Sequence, residues 1–571
     1  MRRFPAAAVA QACRVIVLSG AGLAISLIAS LASAQTVRAP GGALVTIPRS
    51  MDASDPPASA STGRVAGSDG ALVRRINAEA GGASARSSVW PPAVQEFSGN
   101  GCSQAIVGKG QTYNVGPSQK YHELTEVPWL SLGPGDVVNI YARAEPYRTK
   151  IGLRAQGRSD APVVINGVTD AACNRPVISG ENAVTARDAA QRSFFSKQYS
   201  EMLGVFLLYK APDDPWGYRP QHLQFRNLKI TGGNKNNTYT AQDGSTGRYA
   251  GAAAAIYAVV VDDLLIENCE ITGNGNGIFV NSKEDAQASS AVTLRANRIH
   301  ANGNVGSWFE HNLYIQAARV LYEGNYIGQL VPGAKGSSLK DRSSATVVRY
   351  NHIVAAARAL DLVEIEGGVK PVMDDPLYPH AWVYGNLIDD DWRLPGRASV
   401  KLVHWGGDND PRYFRTGTLH FYNNTVRINA DKLDFWYVAL FDLPGETQKV
   451  ALRANIFESR GSSELRLGAE AGTIELADGN WISSGWSEGS GGIKLQRSGQ
   501  LIEGRSAGLD ADGVPRVGST AIDRGQLDLG RQPAGVQLDN LRVTHQYRAP
   551  AGIVARPVRG TAPELGAFET R

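Results

Sequence analysis

The chain has 571 residues and a formal net charge of +4, with 58 lysines and arginines against 54 acidic residues. So small an excess of positive charge provides no broad basic surface, and we expect no nucleic-acid partner. The four cysteines include no C-x-x-C spacing, which argues against a zinc or redox site.

The first 34 residues have the order of a secretory signal peptide. Arginines at positions 2, 3 and 14 precede an apolar run at 15–31, and small residues at 32–34 follow it. We therefore predict cleavage after Ala34 and a secreted or periplasmic location. No later stretch is apolar enough to span a bilayer.

Residues 35–93 are rich in alanine, serine, glycine, proline and arginine and poor in large apolar side chains. We interpret them as a flexible low-complexity leader, followed by one folded domain over residues 94–571. In an oxidising compartment Cys102 and Cys173 could pair, and Cys269 is predicted to be a buried free thiol.

A short pattern close to V-x-L-x-x-N-x-I recurs through the middle of the chain at steps of 26 to 41 residues. Each copy carries alternating strand residues and a turn residue, and a repeat of roughly this length is typical of a solenoid. The asparagine slot of successive copies is held by Leu228, Cys269, Asn297, Asn325, Asn351, Asn386, Asn424 and Asn455.

One such unit cannot bury its own apolar face, whereas stacked units can. Asparagine tolerates the left-handed conformation of a tight bend, and amides in equivalent slots could bond one another along the axis. The pattern predicts an all-β fold, a right-handed parallel β-helix built as a single-domain solenoid. A β-sandwich is the less favoured alternative, because it has no reason to repeat one octapeptide at one face.

The two ends of the folded domain resemble known sequences. A turn at 133–135 (GPG) precedes a strand predicted at 136–141, and GSTAIDRG at 518–525 and PELGAFE at 563–569 lie near the end. These segments resemble the opening and closing parts of secreted β-helix polysaccharide lyases and related proteins. The resemblance implies the β-helix architecture over nearly the whole mature chain.

Aligning the coils on the asparagine slot predicts the register of one sheet. The inward column is predicted to hold Ile278, Leu313, Leu339 and Leu360. The outward columns are predicted to hold Phe279, Tyr314, Lys340 and Asp361, and beside them Asn281, Gln316 and Arg342. Because neighbouring coils are about 4.8 Å apart, Tyr314, Lys340 and Asp361 should adjoin one another on a solvent-facing surface.

This surface is the predicted functional site. A phenol, an amine, a guanidinium and a carboxylate adjoin His311 and Asn312 on one side and residues 364–366 on the other. Long interruptions at 282–290, 367–379 and 406–416 could build the walls of a groove around them.

The residue types suit β-elimination from a polymer that contains uronic acids. Lys340 is the predicted base, Arg342 the residue that binds the sugar carboxylate, and Tyr314 or His311 the acid for the leaving oxygen. The residues predicted to contact the substrate further are Asn312, Gln316, His404 and Trp405. A Ca²⁺ ion that neutralises the carboxylate could be held by Asp361, Glu364 and Glu366.

The segment GSSLKDRSSATVVRYNHI at 336–353 resembles the catalytic coil of the alginate lyase/chondroitinase B family. In that family a lysine of this strand is the base, so the resemblance implies Lys340 in that role and an acidic polysaccharide as substrate. The family carries Arg-His-Gly on the next coil, where this chain has Asp-Leu-Val at 361–363.

Three other functions remain open from the residues. A glycoside hydrolase could use Asp361 with Glu364 or Glu366, or the acidic run 389–391. A C5-epimerase shares the first half of the elimination. A non-catalytic sugar-binding protein could stack sugars on Trp308, Trp382, Trp392 and Trp405. We expect a monomer in each case.

Overall fold

The computed structural model describes residues 90–97, 101–196, 199–395, 397–477 and 479–570, together with two short strands before them. The predicted signal peptide, residues 1–34, lies outside the described residues. The two early strands, Gln35–Arg38 and Leu44–Ile47, pair antiparallel within the predicted leader. Among the described residues, no helix is long and apolar enough to cross a membrane.

Three long sheets wind around one axis, so the predicted right-handed parallel β-helix is confirmed. The back sheet has 13 strands, all paired in parallel: Thr112–Val115, Val137–Tyr141, Val163–Val168, Gln221–Arg226, Asp262–Glu267, Ser290–Arg295, Ala318–Glu323, Thr346–Arg349, His380–Tyr384, Thr418–Tyr422, Lys449–Arg453, Thr473–Leu476 and Lys494–Arg497.

The side sheet has 11 strands, also parallel: Val177–Ser179, Lys229–Thr231, Glu270–Thr272, Arg298–His300, Tyr326–Ile327, His352–Val354, Leu387–Asp391, Thr425–Asn429, Ile456–Ser459, Asn480–Ser483 and Leu501–Gly504. The front sheet has 14 strands: Thr149–Leu153, Ala183–Thr185, Gly204–Leu208, Thr238–Thr240, Thr246–Arg248, Ala254–Val259, Asn276–Asn281, Leu313–Ile315, Leu339–Asp341, Leu360–Leu362, Lys401–Trp405, Tyr437–Leu443, Glu464–Glu470 and Ser487–Gly489. It is parallel except for the hairpin formed by Thr238–Thr240 and Thr246–Arg248.

Short helices interrupt the coils. The α-helices are Ala189–Ser196 and Lys370–Met373, and the 3₁₀ turns are Leu124–Glu126, Trp129–Ser131, Tyr199–Leu203, Asp285–Gln287 and Glu366–Gly368. A last antiparallel pair is formed by His545–Tyr547 and Ile553–Ala555. Inside the coils, stacked aliphatic and aromatic side chains from Val115 to Ile482 form one continuous core.

The predicted asparagine ladder is confirmed and runs one coil further than predicted, to Asn480. In each step the side-chain oxygen of one slot accepts the backbone N–H of the preceding slot at 2.9–3.0 Å, from Cys269 through Asn480. The left-handed residue of the bend is the one before the slot, such as Ala296 or Tyr350, and not the asparagine itself. The octapeptide pattern does not identify Asn480, because its segment, IELADGNWI, has one extra residue between the leucine and the asparagine.

Both ends of the folded chain cover the outer face of the back sheet. Arg349 donates to the carbonyl of Pro92 at 2.8 Å, Tyr422 to that of Leu541 at 2.7 Å and Trp382 to that of Arg531 at 3.0 Å. The outer face of the back sheet is thereby covered, whereas the front sheet carries an open groove.

The cysteines are arranged as predicted. Cys102 and Cys173 form a disulfide, with their Cα atoms 4.7 Å apart. Cys269 is a buried free thiol, and burial raises its pKa to about 11, so it stays protonated.

Candidate functional site

The front sheet has the predicted register. Tyr314 pairs with Phe279 on one side and with Lys340 on the other, and Lys340 pairs with Asp361. Asp361 in turn pairs with His404 on the following coil. The inward neighbours Ile278, Leu313, Leu339 and Leu360 are fully buried, which leaves the polar column pointing outward.

A groove of about 1520 Å³ runs over this column. Its floor carries His311, Tyr314, Gln316, Lys340, Arg342 and Asp361. One wall is formed by residues 307–310, 357–358 and 398–401, and the other by residues 282–283, 364–367 and 408–410. All three of the predicted long interruptions contribute to the second wall.

Lys340 faces outward but is not solvated, because only 7% of it is exposed. Its Nζ donates to Asp361 Oδ2 at 2.9 Å and to Asp408 Oδ2 at 2.5 Å. Burial opposes ionisation of both carboxyls, but the Lys340 charge outweighs it. The pKa of Asp361 is held well below its usual range, and that of Asp408 is lowered to about 2. Both carboxylates are therefore ionised, and each accepts a charge-assisted hydrogen bond from Lys340.

Arg342 fixes the loop that carries Asp408. Its Nη2 donates to Asp408 Oδ1 at 2.9 Å, and its Nη1 donates to the Glu364 carbonyl at 2.7 Å. The Glu364 carboxylate accepts the backbone N–H groups of Asp408, Asn409 and Asp410 at 2.8–2.9 Å. Glu364 thus anchors the loop and has no free oxygen directed at the groove.

Tyr314 and Glu366 form the next polar pair. The Tyr314 hydroxyl donates to Glu366 Oε2 at 2.8 Å, and burial raises the pKa of Tyr314 well above its usual value. The phenol consequently stays protonated, which is the state a proton donor needs. Gln316 donates to the carbonyls of Ser282 and Glu366, so its amide links two segments of the second wall.

His311 is neutral. Its Nδ1 accepts the backbone N–H of Ser337 at 2.8 Å, which assigns the ring proton to Nε2. Burial and, to a smaller extent, the charge of Lys340 lower the pKa of His311 to about 3. At neutral pH the ring offers a hydrogen bond, but it has no imidazolium proton to transfer, which favours Tyr314 as the proton donor.

His404 supports Asp361 from the following coil. Its Nδ1 lies 2.9 Å from Asp361 Oδ1, and its Nε2 lies 3.9 Å from Asp442 Oδ2. Only 5% of His404 is exposed, and it is not among the groove-lining residues. The ring orients Asp361 and does not itself face a bound sugar.

The residues expected to hold Ca²⁺ do not converge. Glu364 and Glu366 are engaged by the loop at 408–410 and by Tyr314. Among the described residues, the one group whose ligand atoms lie within 4.8 Å of one another is Asp361, His404 and Asp408. It includes an imidazole where Ca²⁺ prefers oxygen, and Lys340 Nζ already lies between the two carboxylates. This donor set does not fit Ca²⁺, and assays with and without a chelator test the Ca²⁺ prediction.

Three of the predicted substrate contacts are wrong: His404, as described above, and also Asn312 and Trp405. Asn312 is completely buried, where it accepts from Asn302 at 2.9 Å and donates to the Gly328 carbonyl at 2.7 Å. Trp405 follows the inward alternation of its strand and is completely buried, with the Arg415 guanidinium 4.6 Å from its ring centroid. Neither side chain can reach a bound sugar.

Asp408 is the residue that the sequence reasoning missed. The loop at 406–416 was expected to form a wall, but no residue within it was assigned a role. A signal was available, because WGGDNDPR at 405–412 places two acidic residues opposite a strand with an outward lysine and arginine.

The sequence profile of the family described as "Right handed beta helix region" matches residues 218–370. No curated protein sequence matches the chain. Similar solved structures are remote. An alginate lyase from Paenibacillus sp. str. FPU-7 shares 12% identity over 65% of this chain and 92% of its own, at a TM-score of 0.32.

The GH136 lacto-N-biosidase from Eubacterium ramulus shares 12% identity over 69% of this chain and 68% of its own, at a TM-score of 0.39. The DFA-IIIase from Arthrobacter chlorophenolicus A6, without its lid and in complex with GF2, shares 12% identity over 67% of this chain and 86% of its own, at a TM-score of 0.28.

Proposed function

We propose that the groove is the active site of an enzyme that cleaves an acidic polysaccharide by β-elimination at a uronic acid. The observation that carries this proposal is the position of Asp408. Its carboxylate lies across Lys340 and Arg342 and accepts a hydrogen bond from each, as the carboxylate of a bound uronate would. A planar guanidinium beside an ammonium is a suitable receptor for such a group.

In this proposal the uronate carboxylate replaces Asp408 between the two cations. The Arg342 guanidinium, joined by the charge that Lys340 gains as it takes the C5 proton, stabilises the negative charge that develops next to the carboxylate. Lys340 has to enter the reaction as the neutral amine, after its ammonium proton has passed to solvent. The amine takes the C5 proton, the C4–C5 double bond forms as the C4–O4 bond breaks, and Tyr314 protonates the departing O4.

The second candidate is a retaining glycoside hydrolase. It is favoured by one observation: carboxylate oxygens of Asp361 and Asp408 lie no more than 4.8 Å apart, and retaining enzymes also place two carboxyl groups close together, at about 5–5.5 Å. Such an enzyme needs one carboxyl protonated as the acid. The low pKa values of Asp361 and Asp408, about 2 for the latter, argue against it.

The test is a screen of the mature protein against alginate, polyglucuronate, pectate and glycosaminoglycans. Elimination creates a conjugated unsaturated uronide that absorbs in the ultraviolet, whereas hydrolysis creates reducing ends without that absorbance. New reducing ends without absorbance would establish hydrolysis instead. We also propose export of this enzyme, with residues 1–34 as its signal peptide, which N-terminal sequencing of the mature protein tests.

A further inference from the structure

One wall of the groove presents an exposed aromatic side chain on a well-anchored loop. Trp308 is 47% exposed and lines the groove. Its loop is held to the next coil by two backbone hydrogen bonds, from Gly306 to the Gly333 carbonyl at 2.7 Å and from Lys335 to the Ser307 carbonyl at 2.8 Å. The indole is thus presented to the groove by an ordered backbone, which reduces the entropy lost when a ligand binds.

Two lysines line the groove together with this indole. The Nζ of Lys335 lies 5.6 Å from the centroid of the Trp308 ring, and Lys235 is a further groove-lining residue. The turn that carries Lys235 is tied to the Trp308 loop, because Asn234 Nδ2 donates to Asn304 Oδ1 at 3.2 Å.

These two lysines differ from the cations of the floor. Lys340 and Arg342 are bonded to carboxylates of the chain itself. Within the described part of the chain, neither Lys235 nor Lys335 has a carboxylate oxygen within 4.0 Å. Their charges are available to a ligand. A ligand that enters the groove is confined close to them, which strengthens the attraction.

We propose that Trp308, Lys335 and Lys235 form a separate subsite for one anionic sugar of the polymer, next to the catalytic floor. This inference rests on the proposed function. The apolar face of the sugar ring stacks on the indole, and its carboxylate or sulfate pairs with the two ammonium groups. The subsite adjoins the coil before Lys340, so one chain can occupy it while the sugar to be cleaved lies over Lys340.

The subsite implies a dependence on charge and chain length. Acidic oligosaccharides long enough to reach from Lys340 to Trp308 bind more tightly than shorter ones. The affinity of neutral oligosaccharides increases little with the same gain in length. Loss of one such contact weakens binding roughly tenfold, which corresponds to about 1.4 kcal/mol.

The experiment measures dissociation constants of tetra- and hexasaccharides of alginate, pectate, polyglucuronate and chondroitin sulfate, with cellohexaose as the neutral comparison. The proteins are the wild type, Trp308→Ala, Lys335→Ala and the control Trp216→Ala, whose indole is 54% exposed outside the groove. The sulfated and unsulfated oligosaccharides distinguish the two anionic groups.

We expect roughly tenfold weaker binding of the preferred acidic hexasaccharide to both subsite variants, and no change for Trp216→Ala. Unchanged affinity in both subsite variants, equal binding of cellohexaose, or a wild type that binds no oligosaccharide of the panel would overturn the subsite. If acidic hexasaccharides bind through Trp308 but no unsaturated product forms, the subsite stands and the elimination fails. If unsaturated product forms and the KM of both subsite variants equals that of the wild type, the elimination stands and the subsite fails.

Discussion

Asp408 and Lys340 form an ion pair of 2.5 Å on the floor of the groove, although they are far apart in the sequence. The same carboxylate also pairs with Arg342 at 2.9 Å. The chain therefore supplies its own anion to the two cations that the proposed reaction needs. An acidic substrate has to compete with this internal carboxylate, and that competition can be measured.

Asp408→Asn is predicted to lower the KM for the acidic substrate several-fold while kcat stays within about tenfold of wild type. The reason is that the amide keeps the shape of the side chain but removes the charge that competes with the substrate. Steady-state rates of ultraviolet product formation check this.

Asp410→Asn is the matched control, since Asp410 lies in the same loop and its carboxylate pairs with the exposed Arg412. A fall in kcat of about 10²–10⁴-fold in Asp408→Asn alone would instead identify Asp408 as a catalytic acid or base, and with it hydrolysis.

Lys340→Arg is predicted to reduce kcat by about 10²–10⁴-fold, because an arginine stays protonated and cannot serve as base. The variant keeps a cation between Asp361 and Asp408, so its melting temperature should stay close to that of the wild type. Wild-type turnover in this variant would remove Lys340 from the base role.

Lys340→Ala is predicted to affect stability as well as turnover. It leaves Asp361 buried with the Ser337 hydroxyl, His404 and the more distant Arg358 as partners, and breaking a buried ion pair costs about 3 kcal/mol. Adding Asp361→Asn should restore most of the loss in melting temperature. A single variant as stable as the wild type would mean that the pair adds nothing to the fold.

The repeat predicted the fold and the register because one slot asparagine must meet the next along the whole helix. That constraint determined which of Tyr314, Lys340 and Asp361 adjoin one another. It could not determine burial by loops, so Lys340 was expected on a solvated face and Asp408 was not assigned a role. Trp405 was assigned by residue type alone, against the alternation of its strand that points it inward.

Asn325→Leu is predicted to lower the free energy of unfolding by about 1–3 kcal/mol, since it removes one rung from the ladder. Asn325 Nδ2 donates to the Leu294 carbonyl at 2.8 Å and to Asn351 Oδ1 at 2.9 Å, and its Oδ1 accepts from Asn297. The exposed Asn236→Leu serves as the control in thermal melts. Equal melting temperatures for the two variants would contradict a stabilising ladder.

The stability conferred by Asp408 is predicted to depend on pH. Its pKa is lowered from an ordinary value of 3.8 to about 2 in the fold, which means that its ionised form is favoured by folding. The contribution is therefore complete above the unfolded value and is lost as the pH falls from about 4 to about 2. The pKa of Asp361 is lowered in the same direction, so both carboxylates weaken the fold in acid.

Melting temperatures of the wild type and Asp408→Asn at pH 6, 4 and 2 check this. Wild type should be the more stable at pH 6, because its carboxylate pairs with Lys340 and Arg342. The difference should shrink towards zero at pH 2, where Asp408 becomes protonated and resembles the amide. Asp374→Asn, at an exposed carboxylate that pairs with the exposed Lys370, should stay close to wild type throughout. A difference between wild type and Asp408→Asn that is the same at all three pH values would show that Asp408 acts through packing and not through its charge.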